Sequence, residues 1–191
     1  MDSRFGSIPG VIRTRVGYAG GTKESPTYYD LGDHSESIEI EYDPTQVSYE
    51  ELLAVFWDTH NPTQPAYSRQ YMSAIFFHDE SQKELAIASK ESEANRLQAT
   101  IHTLIAPAGH FTQAEDYHQK YLLRQRGDLL VEYQSVYPDV DDFIRSTAVA
   151  RVNGYLGGYG TVAQLEAELE SLGLSAEGQQ TLVSLVRRSG R

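Results

Sequence analysis

Two polar, tyrosine-rich stretches hold the side chains best suited to chemistry. The first, Gly17 to Glu36, reads GYAGGTKESPTYYDLGDHSE and supplies Tyr28, Tyr29, Asp33, His34 and Glu36. The second, Asn61 to Gln70, reads NPTQPAYSRQ and, with the adjoining Tyr71, supplies Tyr67, Arg69, Gln70 and Tyr71. A carboxyl group beside two phenols suits proton donation to an oxygen atom. The phenols hydrogen-bond that oxygen, and partial burial raises the carboxyl pKa. The competing reading is structural: tyrosines cap ordered loops through their hydroxyls, and Glu36 simply begins a strand. On composition alone the structural reading is the simpler. Long loops inside compact domains are, however, usually functional or disordered, and the aromatic content here argues against disorder.

Other candidates carry less. Glu115 and His118 stand three apart, half of a carboxylate metal motif that needs a second copy and two further glutamates, and only one copy exists. A structural hydrogen-bonded pair is the expectation there. GYLGGYG, from Gly154 to Gly160, precedes a helix start but lacks both an introducing strand and a Lys-Ser/Thr pair, so a flexible or close-packed helix connection is expected rather than a phosphate loop. Trp57 sits among apolar residues at helical spacing and reads as core. No residue of the 191 is a cysteine, which excludes disulfides, thiolate metal sites and thiol nucleophiles within them.

The elements that must position these residues follow from periodicity. Val11 to Ala19 and Glu36 to Tyr42 alternate apolar and polar residues and predict strands that flank the first loop. Ser48 with Glu51 forms a capping box for a helix ended at Asn61-Pro62. Met72 to His78 predicts a short strand, and Asp79 or Ser81 caps a helix reaching Leu97. Ile101 to Pro107 predicts another strand, and FTQAEDYHQKYLL from Phe111 a helix. Met1 to Ser7 reads as the tail of a helix. Beyond Arg126 the chain turns helical: two pieces split by Pro138, then helices starting at Thr161 and Ser175. The expected organisation is an α+β body over residues 1–126, with a mixed sheet packed against helices, and a helical C-terminal extension over 127–191. A net charge of −11 argues against nucleic acid, and no apolar run reaches the roughly 20 residues that span a bilayer. The first residues lack the features of a secretory signal, so the expectation is a cytoplasmic protein.

The blocks PGVIRTRVGYAGGT, PTYYDLGDHSESIEIEYDP, VFWDTHNPTQ, SRQYMSAIF and AEDYHQKYL, in this order between Arg4 and Leu123, closely resemble class A peptide methionine sulfoxide reductases (the MsrA family). The resemblance implies a two-layer, ferredoxin-like α+β core and reduction of the S epimer of methionine sulfoxide, free or in oxidised proteins. In that reaction a cysteine thiolate attacks the sulfoxide sulfur while one glutamate and two tyrosines bind and protonate the oxygen. Methionine leaves, and the resulting sulfenic acid is resolved by a second thiol or by thioredoxin. No cofactor is implied beyond that external thiol reductant. By block alignment the acid is Glu36 and the oxygen-binding phenols are Tyr28 and Tyr71.

Two departures stand out. The family places an aspartate five residues before the second tyrosine; here Ala66 stands there, in a shortened loop. The family nucleophile lies in a Gly-Cys-Phe-Trp block at a helix start, where the helix dipole lowers the thiol pKa. Counting back from Pro9-Gly10, that block would end just before Met1, and the strand preceding it would also be missing. The expectation is therefore a chain starting at an internal methionine of a reductase, inactive as written. The alternative is a relative that binds methionine sulfoxide without reducing it, and a purely structural remnant is a third reading.

Overall fold

Residues 1–188 are described by the computed structural model. Helix α1 (Asp2–Gly6) is followed by the two strands that period-two alternation predicts, β1 (Val11–Ala19) and β2 (Ser35–Tyr42). Helix α2 (Tyr49–Trp57) starts as its sequence dictates: Ser48 Oγ accepts from the Glu51 amide at 3.2 Å, and the Glu51 carboxylate accepts from the Ser48 amide at 2.7 Å. Strand β3 (Ala74–Phe77) leads into α3 (Glu80–Leu97), capped by Asp79 and stopped by Gln98 in the left-handed region at φ 50°. The α3 crossover returns the chain to β4 (Leu104–Pro107), which lies parallel to β3 with Ala74 opposite Leu104. Strand β5 (Thr112–Gln113) pairs antiparallel with β1, Gly17 facing Gln113. The strands thus form two small sheets, in the order β2-β1-β5 and β3-β4. Gly17 has to be glycine, because a Cβ there would lie 2.3 Å from the Thr112 carbonyl oxygen.

The second half of the chain is helical: α4 (Tyr121–Arg124), α5 (Gly127–Val136), α6 (Val140–Arg145), α7 (Thr147–Leu156), α8 (Val162–Glu168) and α9 (Ala176–Arg188). Three expectations change. The strand expected from Ile101 begins only at Leu104, because the His102 amide donates to the Pro62 carbonyl at 2.9 Å instead of joining a ladder. The helix expected from Phe111 breaks into β5, a 3-10 turn over Asp116–His118 and α4, since Thr112 and Gln113 pair with β1 and Lys120 adopts φ 53°. The glycine-rich run expected as a connection lies partly inside α7, and Gly154 lets α1 approach. A Cβ at Gly154 would lie 2.6 Å from Ser7 Cβ and 2.8 Å from the Ser3 carbonyl oxygen.

Contacts divide the chain into two compact units. One comprises Met1–Arg15, Ile40–Asp43 and the residues from Asp116 onward, so the helical extension groups with α1. Its core holds Leu129, Tyr133, Phe143, Ile144, Val152, Leu165 and Leu182. Within this unit Lys120 is wholly buried. Its Nζ donates to the Thr14 carbonyl at 2.5 Å, to Thr14 Oγ1 at 2.7 Å and to Asp2 Oδ1 at 3.1 Å. The Lys120 amide and Asn153 Nδ2 both donate to Asp2 Oδ2 at 3.2 Å. Burial pushes the Lys120 pKa down, and the Asp2 carboxylate opposes that shift.

The other unit comprises Val16–Glu39 and Pro44–Glu115. It packs Leu53, Trp57, Ile75, Ala86 and Ile101 into one cluster and Tyr18, Leu31 and Ala114 into another. Trp57 is core, with its indole N–H on Ser89 Oγ at 3.1 Å. Both tyrosine-rich loops belong to this unit.

Candidate active site

A long polar loop keeps one shape only if its backbone groups find partners, and Asp33 supplies them in the first loop. Its carboxylate accepts from the Thr22 amide at 2.8 Å and the Lys23 amide at 3.1 Å. Those backbone bonds pull its pKa from 3.8 down to about 2. A carboxyl held below its ordinary value adds stability that is present above pH 3.8 and lost as pH falls through about 2. We expect an NMR titration to show the Asp33 carboxyl still ionised at pH 3, with the Thr22 and Lys23 amide shifts following the same curve. A midpoint near 3.8 would discard this account of the loop. His34 is a second brace: it is buried, with Nε2 on the Lys23 carbonyl at 2.9 Å.

Arg69 then staples the second loop to the first. Its Nε donates to the Asp33 carbonyl at 2.5 Å and its Nη2 to the Gly20 carbonyl at 2.9 Å. At the start of β2, Ser35 Oγ donates to the Arg69 carbonyl at 2.8 Å and the Glu36 amide to the Gln70 carbonyl at 2.9 Å. Position 36 is thereby locked to positions 70 and 71.

The result is one hydrogen-bonded cluster. Gln70 Nε2 donates to Glu36 Oε1 at 2.7 Å and to the Tyr71 hydroxyl at 3.1 Å, and Tyr71 is hydrogen-bonded to the Tyr28 phenol. That bond to Tyr28, with desolvation and the Glu36 charge behind it, pushes the Tyr71 pKa up to about 12. The raised value keeps the Tyr71 phenol protonated at neutral pH. Glu36 itself is exposed to solvent. Chemically the cluster offers two hydroxyl groups and one carboxyl to a single oxygen.

The structure thus brings together Glu36, Tyr28 and Tyr71, with Gln70 as the bridge that spacing alone does not reveal. Tyr29 and Tyr67 point outward, 90% and 84% exposed, and Ala66 is exposed as well. One residue has a part the sequence reading missed. Glu115 holds the Tyr18 hydroxyl at 2.6 Å and the Tyr28 amide at 3.1 Å, anchoring the first loop where Tyr28 leaves it. Its partners lie 97 and 87 residues away, so nothing in local spacing points to them. Glu115 precedes the 3-10 turn that carries His118, so the two do not share a helix face. Among the described residues no group of three or more His, Cys, Asp or Glu is placed to hold a metal ion.

An α+β domain thus gathers a carboxylate and two phenols into one hydrogen-bonded cluster, a candidate site for polar chemistry. Comparison with known proteins says which kind. The family model for peptide methionine sulfoxide reductase matches residues 1–152, and a model for the helical domain of selenoprotein methionine sulfoxide reductase A matches residues 140–186. A peptide methionine sulfoxide reductase of Drosophila melanogaster is 44% identical over 183 residues, covering 94% of this chain and 72% of the relative. One from Methanococcoides burtonii is 45% identical over 132 residues, covering 63% of this chain and 86% of the relative. Among solved structures, methionine sulfoxide reductase A of Corynebacterium diphtheriae superposes with a TM-score of 0.56 at 34% identity, covering 64% of this chain and 68% of that one. The chain belongs to the peptide methionine sulfoxide reductase family. Membership places it among the methionine sulfoxide reductases, a class of oxidoreductase, while none of its 191 residues is a cysteine.

Proposed function

We propose that these residues form the oxygen-binding side of a methionine-S-sulfoxide reductase site. Tyr28 and Tyr71 hydrogen-bond the sulfoxide oxygen, and Glu36 delivers the proton it takes up as the sulfur–oxygen bond weakens. The hydrogen-bonded set of Glu36, Gln70, Tyr71 and Tyr28 carries this reading. On ligand entry the sulfoxide oxygen takes the place between the phenols and the carboxyl that Gln70 now bridges. The substrate is methionine sulfoxide in oxidised proteins or free, the setting cytoplasmic repair of oxidative damage, and the electron donor an external dithiol such as thioredoxin. Reduction of one sulfoxide consumes two thiols and releases methionine, water and a disulfide. The attacking thiol is supplied by none of the 191 residues. That same composition favours a second reading, a relative that binds oxidised methionine without turning it over.

Both readings require binding. We expect the chain to bind methionine-S-sulfoxide in preference to methionine and to the R epimer, followed by NMR shift changes of Tyr28, Glu36 and Tyr71. Glu36→Gln and Tyr71→Phe should each weaken it by roughly five- to tenfold, the effect of losing a hydrogen bond worth about 1 kcal/mol. Equal shifts with all three ligands, or none with any, would sink the assignment.

A further inference from the structure

The tyrosines of the two loops form one continuous strip. The rings of Tyr29 and Tyr28 meet edge to face at 5.4 Å, the phenols of Tyr28 and Tyr71 are hydrogen-bonded, and the rings of Tyr71 and Tyr67 lie 5.4 Å apart. The inner two belong to the oxygen-binding cluster. The outer two have no part in it, and at 90% and 84% they are the most exposed large hydrophobic side chains among the described residues. A single exposed aromatic needs no explanation, but two that flank a reactive cluster, one at each end, extend it into a surface for a longer ligand.

Charge narrows that ligand. The basic side chains of the two loops are engaged internally: Lys23 Nζ pairs with Asp30, and Arg69 is held by the Asp33 and Gly20 carbonyls. Glu24 and Glu36 are exposed, and the whole chain carries −11. Ring faces attract Arg and Lys side chains, and a negatively charged surface favours a basic partner. An extended peptide advances about 3.3 Å per residue, so a methionine sulfoxide seated on the inner pair carries its near neighbours over the outer rings.

We propose that Tyr29 and Tyr67 are flanking subsites that select extended peptides with arginine or lysine beside the methionine sulfoxide. This rests on the oxygen-binding reading of the inner pair. The two tyrosines act on specificity, leaving the sulfoxide chemistry to Glu36, Tyr28 and Tyr71.

The test measures binding of the 191-residue chain to four probes: free methionine-S-sulfoxide, a capped pentapeptide with arginine on both sides of the sulfoxide, the same peptide with aspartate flanks, and the unoxidised arginine peptide. We expect the oxidised arginine peptide to bind about tenfold more tightly than the free amino acid, and the aspartate peptide to show no gain. Tyr29→Ala and Tyr67→Ala, both at exposed positions, should each remove about threefold of the gain and leave affinity for free methionine sulfoxide unchanged. If free sulfoxide binds and no peptide binds better, the subsites are refuted while the oxygen-binding reading stands. If no probe binds, both fall. Unoxidised peptide binding as tightly as oxidised would overturn the proposal by exposing a general cation-attracting surface.

Discussion

Supplied with thioredoxin, its reductase and NADPH, the purified 191-residue chain is expected to consume no methionine sulfoxide. Sulfoxide reduction needs a sulfur nucleophile on the enzyme, since the thiolate both attacks the substrate sulfur and carries away the oxygen as sulfenic acid. Serine and threonine hydroxyls do not replace it, because an alkoxide lacks the thiolate's low pKa and its reversible oxidation ladder. With no cysteine among the 191 residues, the proposed binding at Glu36, Tyr28 and Tyr71 would have no following step. The expected readout is a flat NADPH trace at substrate concentrations where NMR shows the site filled. A rate above the no-protein control that disappears with Glu36→Gln would overturn the claim. The pairing matters: a flat trace without demonstrated binding would say nothing about where the reaction stops.

The second large effect is structural. Removing one partner of the buried Asp2–Lys120 pair, by Asp2→Ala or Lys120→Ala, is expected to destabilise its unit by about 3–5 kcal/mol and lower the melting temperature by on the order of 10 °C. Lys120 is fully enclosed, and its Nζ donates to the Asp2 carboxylate and the Thr14 carbonyl and hydroxyl, all from distant parts of the chain. Loss of Asp2 leaves a buried ammonium with less compensation, which costs more than the pair gains over an apolar substitute. The double variant Asp2→Leu with Lys120→Met should therefore recover much of the loss. A thermal melt of the four proteins decides it: single variants within 2 °C of the parent would show that water reaches this site.

Much of this was readable in local pattern. Strand β1 runs from Val11 to Ala19 as its alternation indicates, and the Ser48–Glu51 box sits where the sequence puts it, because both depend on neighbours within a few residues. The Phe111–Leu123 segment misleads for the same reason. Its helical spacing is real, but Thr112 and Gln113 pair with β1 and Lys120, at φ 53°, serves Asp2 and Thr14 more than a hundred residues away, so no single helix runs through the segment. The site divides in the same way. Residue types in two loops suggested oxygen binding, and the resemblance singled out Tyr28, Glu36 and Tyr71. What spacing could not show is that Arg69 ties the loops together and that Glu115 anchors Tyr28, since both act across long stretches of chain.

The contact between α1 and α7 has a consequence for synthesis on the ribosome. Asp2 meets Asn153 across 151 residues, and closing so long a loop costs roughly 2 kcal/mol more than closing one of about ten. Until α7 has emerged, Gly6 lacks the Ala150 backbone it packs against, whereas every residue of the unit bearing the tyrosine loops has been made once Glu115 has appeared. The unit bearing the tyrosine loops can therefore assemble first, while α1 waits for α7 through the remainder of translation, a window in which chaperones and proteases compete with α7 for it.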